Sequence, residues 1–329
     1  MDQRKAFVNI PETVSREARE FLSTLQDPAL SPPFPAPDDF AAWKKLQEAI
    51  ERDALEQSEA MVKRYSPTVA ACNLGGVPVL DIRPRKWQRN DMLAIYTHGG
   101  ACTTLSAAST LGRAAMFAHD TGLRVISVDY TLAPEAKFNE ITEQVVLVCE
   151  ALVFGGNSLK NAVMYGDSSG GGLAAAAILK MRDQGWALPA AVVLVSPAVD
   201  LTSSGDTDFT LRNADPSFLY DRHLKNAAAA YADPENQKNP YASPIYGDFS
   251  KGFSPTLIQG GTKEILLSGF VRLYQALDAA GQSVKLDLYE GMVHNFPNRI
   301  PDSPEGKLAR KKMKQFVHFY LKQDQQVAA

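Results

Sequence analysis

Ala162-Val163-Met164-Tyr165-Gly166-Asp167-Ser168-Ser169-Gly170-Gly171-Gly172-Leu173 is the stretch on which the fold turns. Its first four residues form a short β-rich run, and the pattern over about 171–184 is helical. Between them, Gly166 through Gly170 fits G-x-S-x-G, with the serine on a sharp turn between strand and helix. The glycines have a steric reason. The turn must lift the Ser168 hydroxyl clear of the sheet, and bulky neighbours would clash there. The competing reading is an anion-binding turn at a helix N-terminus. Against it, the segment lacks both G-x-G-x-x-G and the lysine of a P-loop.

On either side of this stretch, β-rich runs alternate with helical patterns. Strands are predicted at 77–82, 92–97, 123–128, 162–165, 191–196, 256–259 and 284–289. Helices are predicted at about 109–120, 139–153, 171–184, 267–280 and 305–322. This alternation specifies an α/β fold with a mostly parallel sheet and helices on both faces. Near-continuous apolar strands fit burial on both faces. Two regions break the rhythm. Helical patterns at about 13–25 and 39–63 flank a loop with five prolines between residues 28 and 37, and read as an appendage laid over the rest. Residues 201–250 hold a turn-rich stretch, an alanine-rich helix at about 221–232 and a Pro- and Asn-rich loop. An insertion of this length fits a lid or pocket wall.

Composition excludes several classes. The chain has 329 residues and is 45% hydrophobic, enough for a large core. Lys and Arg number 34 against 37 Asp and Glu, a net charge of −3, which argues against a nucleic-acid footprint. No run approaches the roughly 18 apolar residues of a membrane span. Met1–Lys5 lacks the apolar h-region of a secretory signal, so no membrane association and a cytoplasmic location are expected. Cys72, Cys102 and Cys149 make neither a disulfide framework nor a metal cluster, and neither H-E-x-x-H nor C-x-x-C occurs.

Serine alone is a weak nucleophile and needs a base and a group that orients the base. Where serine stands on such a turn, the acid and then the histidine follow it in the chain. Of the histidines after Ser168, His223 lies in the insertion and His318 in the terminal amphipathic helix. His294 follows the 284–289 strand and the Glu290-Gly291-Met292 turn, at the sheet edge where open α/β sheets bind ligands. The acid expected from a loop beyond a strand end is Glu264, after Gly260-Gly261-Thr262. Asp287 competes but lies within a strand. His98-Gly99-Gly100-Ala101 follows the 92–97 strand, where a glycine-rich loop can aim backbone N–H groups at a developing oxyanion. The expected donors are Gly99, Gly100 and Ser169.

With these residues in place, the chain resembles the hormone-sensitive-lipase-like family of α/β-hydrolase carboxylesterases. The matching motifs are His98-Gly99-Gly100, Asp129 through Glu135, Gly166 through Gly171, Ser196-Pro197 with Asp200-Leu201, Ala242-Ser243-Pro244, Gly261 through Glu264, and Tyr289 through Phe296. They span about 78–322. The resemblance implies an α/β-hydrolase fold with a helical cap. The division is N-terminal cap helices at 1–65, core at 66–200 and 251–329, and a cap insertion at 201–250. It implies hydrolysis of short- to medium-chain carboxylic esters, without cofactor or metal, on small-molecule substrates. It supports Ser168, Glu264 and His294 as catalytic residues. Some relatives dimerise through a sheet edge, so a homodimer is compatible with the resemblance.

The chain departs from the family pattern at four places. Ala101 stands for the third loop glycine and is followed by Cys102 instead of an aromatic, leaving room beside the nucleophile. Thr131 replaces an arginine, Glu264 an aspartate, and Asn295 a glycine. Cys102, Tyr130, Phe209, Phe218 and Leu219 are candidates for the pocket wall. Two other readings keep the fold. One is a lactone or amide hydrolase with the same triad. The other is a non-catalytic receptor, which the presence of His294 disfavours.

Overall fold

The computed structural model describes residues 8–327, so the Met1–Lys5 segment lies outside the described residues. Strands β1 (Thr68–Leu74), β2 (Val77–Arg83), β3 (Leu93–Thr97), β4 (Arg124–Val128), β5 (Ala162–Asp167), β6 (Ala191–Val195), β7 (Thr256–Gly261) and β8 (Val284–Tyr289) form one sheet. Its order is β1-β2-β4-β3-β5-β6-β7-β8. The β1–β2 and β2–β4 pairs are antiparallel, and every pair from β4 to β8 is parallel. The helices are α1 (Arg16–Thr24), α2 (Phe40–Tyr65), α3 (Leu111–Thr121), α4 (Phe138–Phe154), α5 (Ser169–Asp183), α6 (Thr207–Thr210), α7 (Lys225–Tyr231), α8 (Leu267–Ala279), α9 (Phe296–Arg299) and α10 (Pro304–Val327).

Strand alternation divides the core. Ile95, Ile126, Met164 and Val192 face one side and pack with Val145 and Cys149 of α4 and Ile178 of α5. Tyr96, Val125, Val163 and Val193 face the other and pack with Phe117 of α3 and Met313 and Val317 of α10. Central strands buried on both faces are therefore apolar throughout, as β3 and β6 are. This is the α/β-hydrolase sheet, with helices on both faces.

The structure corrects the sequence reading in two places. β1 precedes the first predicted strand and pairs with β2 through the Gly75-Gly76 turn, both glycines having positive φ. It is nearly all exposed, so it carries no burial signal. The alanine-rich helix starts with a π-type turn at Tyr220–Leu224 before α7.

The segments outside the alternation are tied to the site side of the sheet. In α1, Ala18 and Leu22 pack on Met292, Val293 and Phe296, beside the end of β8. The N–H and hydroxyl of Ser15 both donate to Glu305 of α10, each at 2.7 Å. In α2, Gln47 donates to the Thr103 carbonyl, and Ser58 accepts the Gly112 N–H. The proline-rich loop joins the insertion. Phe34 N–H donates to the Arg222 carbonyl at 2.9 Å, and Asn226 donates to the Phe34 carbonyl at 2.9 Å. Among the described residues, no helix is long and apolar enough to cross a membrane.

Candidate active site

Ser168 stands between β5 and α5 at φ 56° and ψ −127°, a strained conformation for a non-glycine residue. Its surroundings explain the flanking glycines. A Cβ on Gly166 would lie 2.3 Å from the Gly170 carbonyl oxygen, and one on Gly170 would lie 2.1 Å from that of Thr97. The turn is fixed by the Ser168 N–H donating to the Val195 carbonyl at 2.8 Å.

The loop after β8 brings in His294, whose Nε2 lies 3.0 Å from Ser168 Oγ. Its Nδ1 lies 2.8 Å from Glu264 Oε2. The other oxygen of Glu264 accepts the Gly261 N–H at 2.6 Å and the Ser196 hydroxyl at 2.8 Å. Ser196 Oγ in turn accepts the Asn295 N–H at 2.9 Å, so one hydroxyl links the acid loop to the histidine loop. Glu264 is fully buried and His294 nearly so. With the carboxylate accepting from Nδ1–H, Nε2 is left to accept the Ser168 proton. Asn295 has φ 59°, so asparagine, which tolerates the left-handed region, stands where glycine would serve.

The other candidates lie elsewhere. Asp287 accepts from Gln259, Tyr289 and Lys312. His223 accepts the Leu219 N–H and packs against Phe34, and His318 lies on α10.

The loop after β3 runs beside Ser168. A Cβ on Gly99 would lie 3.0 Å from Ser168 Cβ, and Gly100 has φ 115°. Among the described residues, the N–H groups of Gly99, Gly100 and Ser169 carry no intramolecular hydrogen bond. Ala101 and Cys102 continue the loop at φ 55° and 56°. Cys102 N–H donates to Ser169 Oγ at 3.0 Å, tying the loop to α5. Burial pushes the Cys102 thiol up to about 12, so it stays neutral. Tyr130 holds this loop from behind: its hydroxyl donates to the His98 carbonyl at 2.6 Å and its ring stacks on His98. At the Thr131 departure, Gln144 accepts the Thr131 N–H and donates to its hydroxyl, so an amide bracket stands there.

Two cavities meet at Ser169, Ala101, Ala198, Leu224 and Leu266. An open cleft of about 430 Å³ contains Ser168 and His294 and is walled by Phe34, Ile50 and Phe218. Behind it lies a chamber of about 50 Å³ lined by Cys102, Leu173, Tyr220, Ala227, Ala228 and Tyr231 among others. Of the wall candidates, Phe218 sits edge-on to His294, with ring centroids 5.0 Å apart, and Cys102 lines the chamber. Tyr130 and Leu219 are outside both linings. Phe209 is 69% exposed on α6, so its apolar side chain does not mark the pocket.

Several groups at the site were not legible in the sequence. Buried Asp167 accepts from Tyr96, Asn295 and, at 2.8 Å, Arg113. Asp215 is buried in the insertion and accepts the Ser217 N–H at 2.7 Å and the Ile265 N–H at 2.8 Å. It thereby fixes Phe218 and Glu264 relative to each other. Nothing beyond an Asp215-Pro216 turn signals it in the chain.

Burial lifts the Asp215 carboxyl from 3.8 to about 6. The folded state therefore holds this proton more tightly than the unfolded chain. Between about pH 4 and pH 6 the contribution of Asp215 to stability rises as pH falls. Two pH units correspond to about 3 kcal/mol. Denaturant unfolding of the wild type and Asp215→Asn should show the gap moving toward the wild type by about that amount from pH 7 to pH 4. A gap independent of pH would contradict the burial of an ionisable group there.

A family profile described as alpha/beta hydrolase fold matches residues 94–298. An acetyl-hydrolase of Streptomyces hygroscopicus is 33% identical over 228 residues, 69% of this chain and 75% of that protein. The solved structure of esterase E25 superposes with a TM-score of 0.87 at 26% identity, covering 93% of this chain and 94% of that one. An esterase structure from the bacterial hormone-sensitive lipase family gives 0.78 at 29% identity, with 93% and 99% covered.

Proposed function

The chain belongs to the α/β-hydrolase family of hormone-sensitive-lipase-like esterases, and from that premise we propose that Ser168, His294 and Glu264 act as a triad on short-chain carboxylic esters. The observation that carries the proposal is the unbroken hydrogen-bonded chain from Ser168 Oγ through His294 to Glu264. His294 Nε2 takes the hydroxyl proton as Ser168 Oγ bonds to the ester carbonyl carbon. Glu264 holds the tautomer and stabilises the imidazolium. The N–H groups of Gly99, Gly100 and Ser169 receive the negative oxygen of the tetrahedral intermediate, each such donor being worth about 2.7–4 kcal/mol of barrier. The intermediate collapses, the C–O bond to the alcohol breaks, and the alcohol leaves with the His294 proton. Water, deprotonated by His294, then releases the acid from Ser168.

The described part of the 1–65 segment and residues 201–250 serve as the cap. Phe34 and Ile50 from the first and Phe218 from the second supply walls of the cleft. The small chamber behind the nucleophile takes the acyl group, and the open cleft takes the alcohol, which has to leave. On this scale one water-sized group needs about 10–15 Å³, so the chamber has room for roughly three to five of them. Acetyl to about butyryl groups fit.

A chromogenic ester series, with Ser168→Ala as blank, tests this. Each methylene that fits should add about 0.8 kcal/mol, a few-fold in kcat/KM, until the chamber is full. The expected profile rises from acetate to about butyrate and then falls, and Cys102→Phe moves the maximum back to acetate. A maximum at octanoate would rule out the chamber as acyl site.

A further inference from the structure

We propose that the alcohol half of the natural substrate carries an anionic group, a carboxylate or phosphate, which Arg299 binds at the rim of the cleft. This rests on the esterase reading above and names the substrate class for the same site.

Arg113 and Arg299 both line the cleft that contains Ser168 and His294. The two differ in their partners. Arg113 is neutralised by the buried Asp167 carboxylate at 2.8 Å. Arg299 has no carboxylate within ion-pair distance among the described residues. Its one hydrogen bond is a long one, 3.5 Å to Ser217 Oγ. The buried Asp215 and Glu264 act on Arg299 through space but take their hydrogen bonds from other donors. Asp215 accepts the Ser217 and Ile265 N–H groups, and Glu264 accepts from His294, Ser196 and Gly261. Arg299 therefore lines the cleft with no direct ion pair among the described residues, whereas Arg113 is paired.

The guanidinium is also held in place. Arg299 is the last residue of α9, exposed at the rim, and its guanidinium lies 5.0 Å from the Phe21 ring of α1. A planar guanidinium fixed on an aromatic face presents a fork matched to carboxylate or phosphate. An anion on the alcohol half would meet this fork while the acyl carbon sits at Ser168.

The test uses two acetyl esters that differ in charge, 4-acetoxybenzoate and the neutral 4-acetoxybenzamide, with release of the phenol followed. The ratio of kcat/KM for the anionic to the neutral ester should be about tenfold higher in the wild type than in Arg299→Gln. The difference should lie mainly in KM and shrink as salt rises, and Arg299→Lys should keep part of it. Inhibition of the wild type gives a readout that needs no variant: 4-hydroxybenzoate should bind more tightly than 4-hydroxybenzamide. Equal ratios in wild type and Arg299→Gln, or equal inhibition by the two phenols, overturn this inference alone, provided the neutral ester is cleaved at Ser168. Absence of Ser168-dependent cleavage of either ester overturns it together with the proposed function.

Discussion

Ser168→Ala should lower kcat on a simple aryl ester by about 10⁴–10⁶ and leave the fold in place. The loss is large because nothing nearby can replace the hydroxyl. His294 Nε2, 3.0 Å from Ser168 Oγ, would face a methyl group. The neighbouring Cys102 is a neutral thiol on the wall of the chamber, so it supplies no substitute nucleophile. What survives is the modest acceleration from the N–H groups of Gly99, Gly100 and Ser169 and from binding. The fold should tolerate the change. The bond from residue 168 N–H to the Val195 carbonyl uses backbone only, and alanine at φ 56° bears the same strain as serine. Steady-state rates on a chromogenic acetate, with a melting curve for each protein, check both parts. Activity retained by a folded Ser168→Ala protein removes serine catalysis from the site.

Glu264→Gln should lower kcat by about 10³–10⁴ with little change in KM. The reason lies in the second oxygen. Glu264 Oε1 accepts two donors, the Gly261 N–H and the Ser196 hydroxyl, while Oε2 faces His294 Nδ1. A glutamine amide cannot satisfy all three. If its oxygen keeps the two donors, its NH₂ faces His294 and forces the proton onto Nε2, where it blocks acceptance from Ser168. If it flips, the NH₂ meets two donors in a buried site. Glu264→Asp keeps the charge with a shorter reach, and its loss should be the smaller of the two. Pre-steady-state acylation rates separate the variants. A glutamine variant that acylates at the wild-type rate would contradict the role given to Glu264.

Much of this site could be read from residue order alone. The alternation of β-rich and helical runs specifies the parallel sheet, and a strand running into Gly166-Asp167-Ser168-Ser169-Gly170 marks a serine at its edge, where the backbone contacts of Gly166 and Gly170 admit no side chain. The order Ser168, Glu264, His294 carried the rest. What stayed hidden depended on direction and packing, which local sequence does not encode. Tyr130 and Phe209 look alike as apolar wall candidates. Folding turns one behind the His98 loop and the other to solvent. Asp215 and Arg299 look like ordinary polar residues, and their setting arises only when the insertion, α1 and the acid loop converge. β1 leaves no burial pattern in the sequence because it is an exposed edge strand, although Gly75-Gly76 marks its hairpin.

The brace between Ser15 and Glu305 spans 290 positions, and it lies beside the loop that holds His294. Its consequence is one of timing during synthesis. The Ser168 turn leaves the ribosome 126 residues before His294, and the helix that backs the histidine loop waits longer still for its anchor on α10. A nascent chain therefore carries a hydroxyl with no proton acceptor. The proposed triad is complete only once the loop that holds His294 has been made.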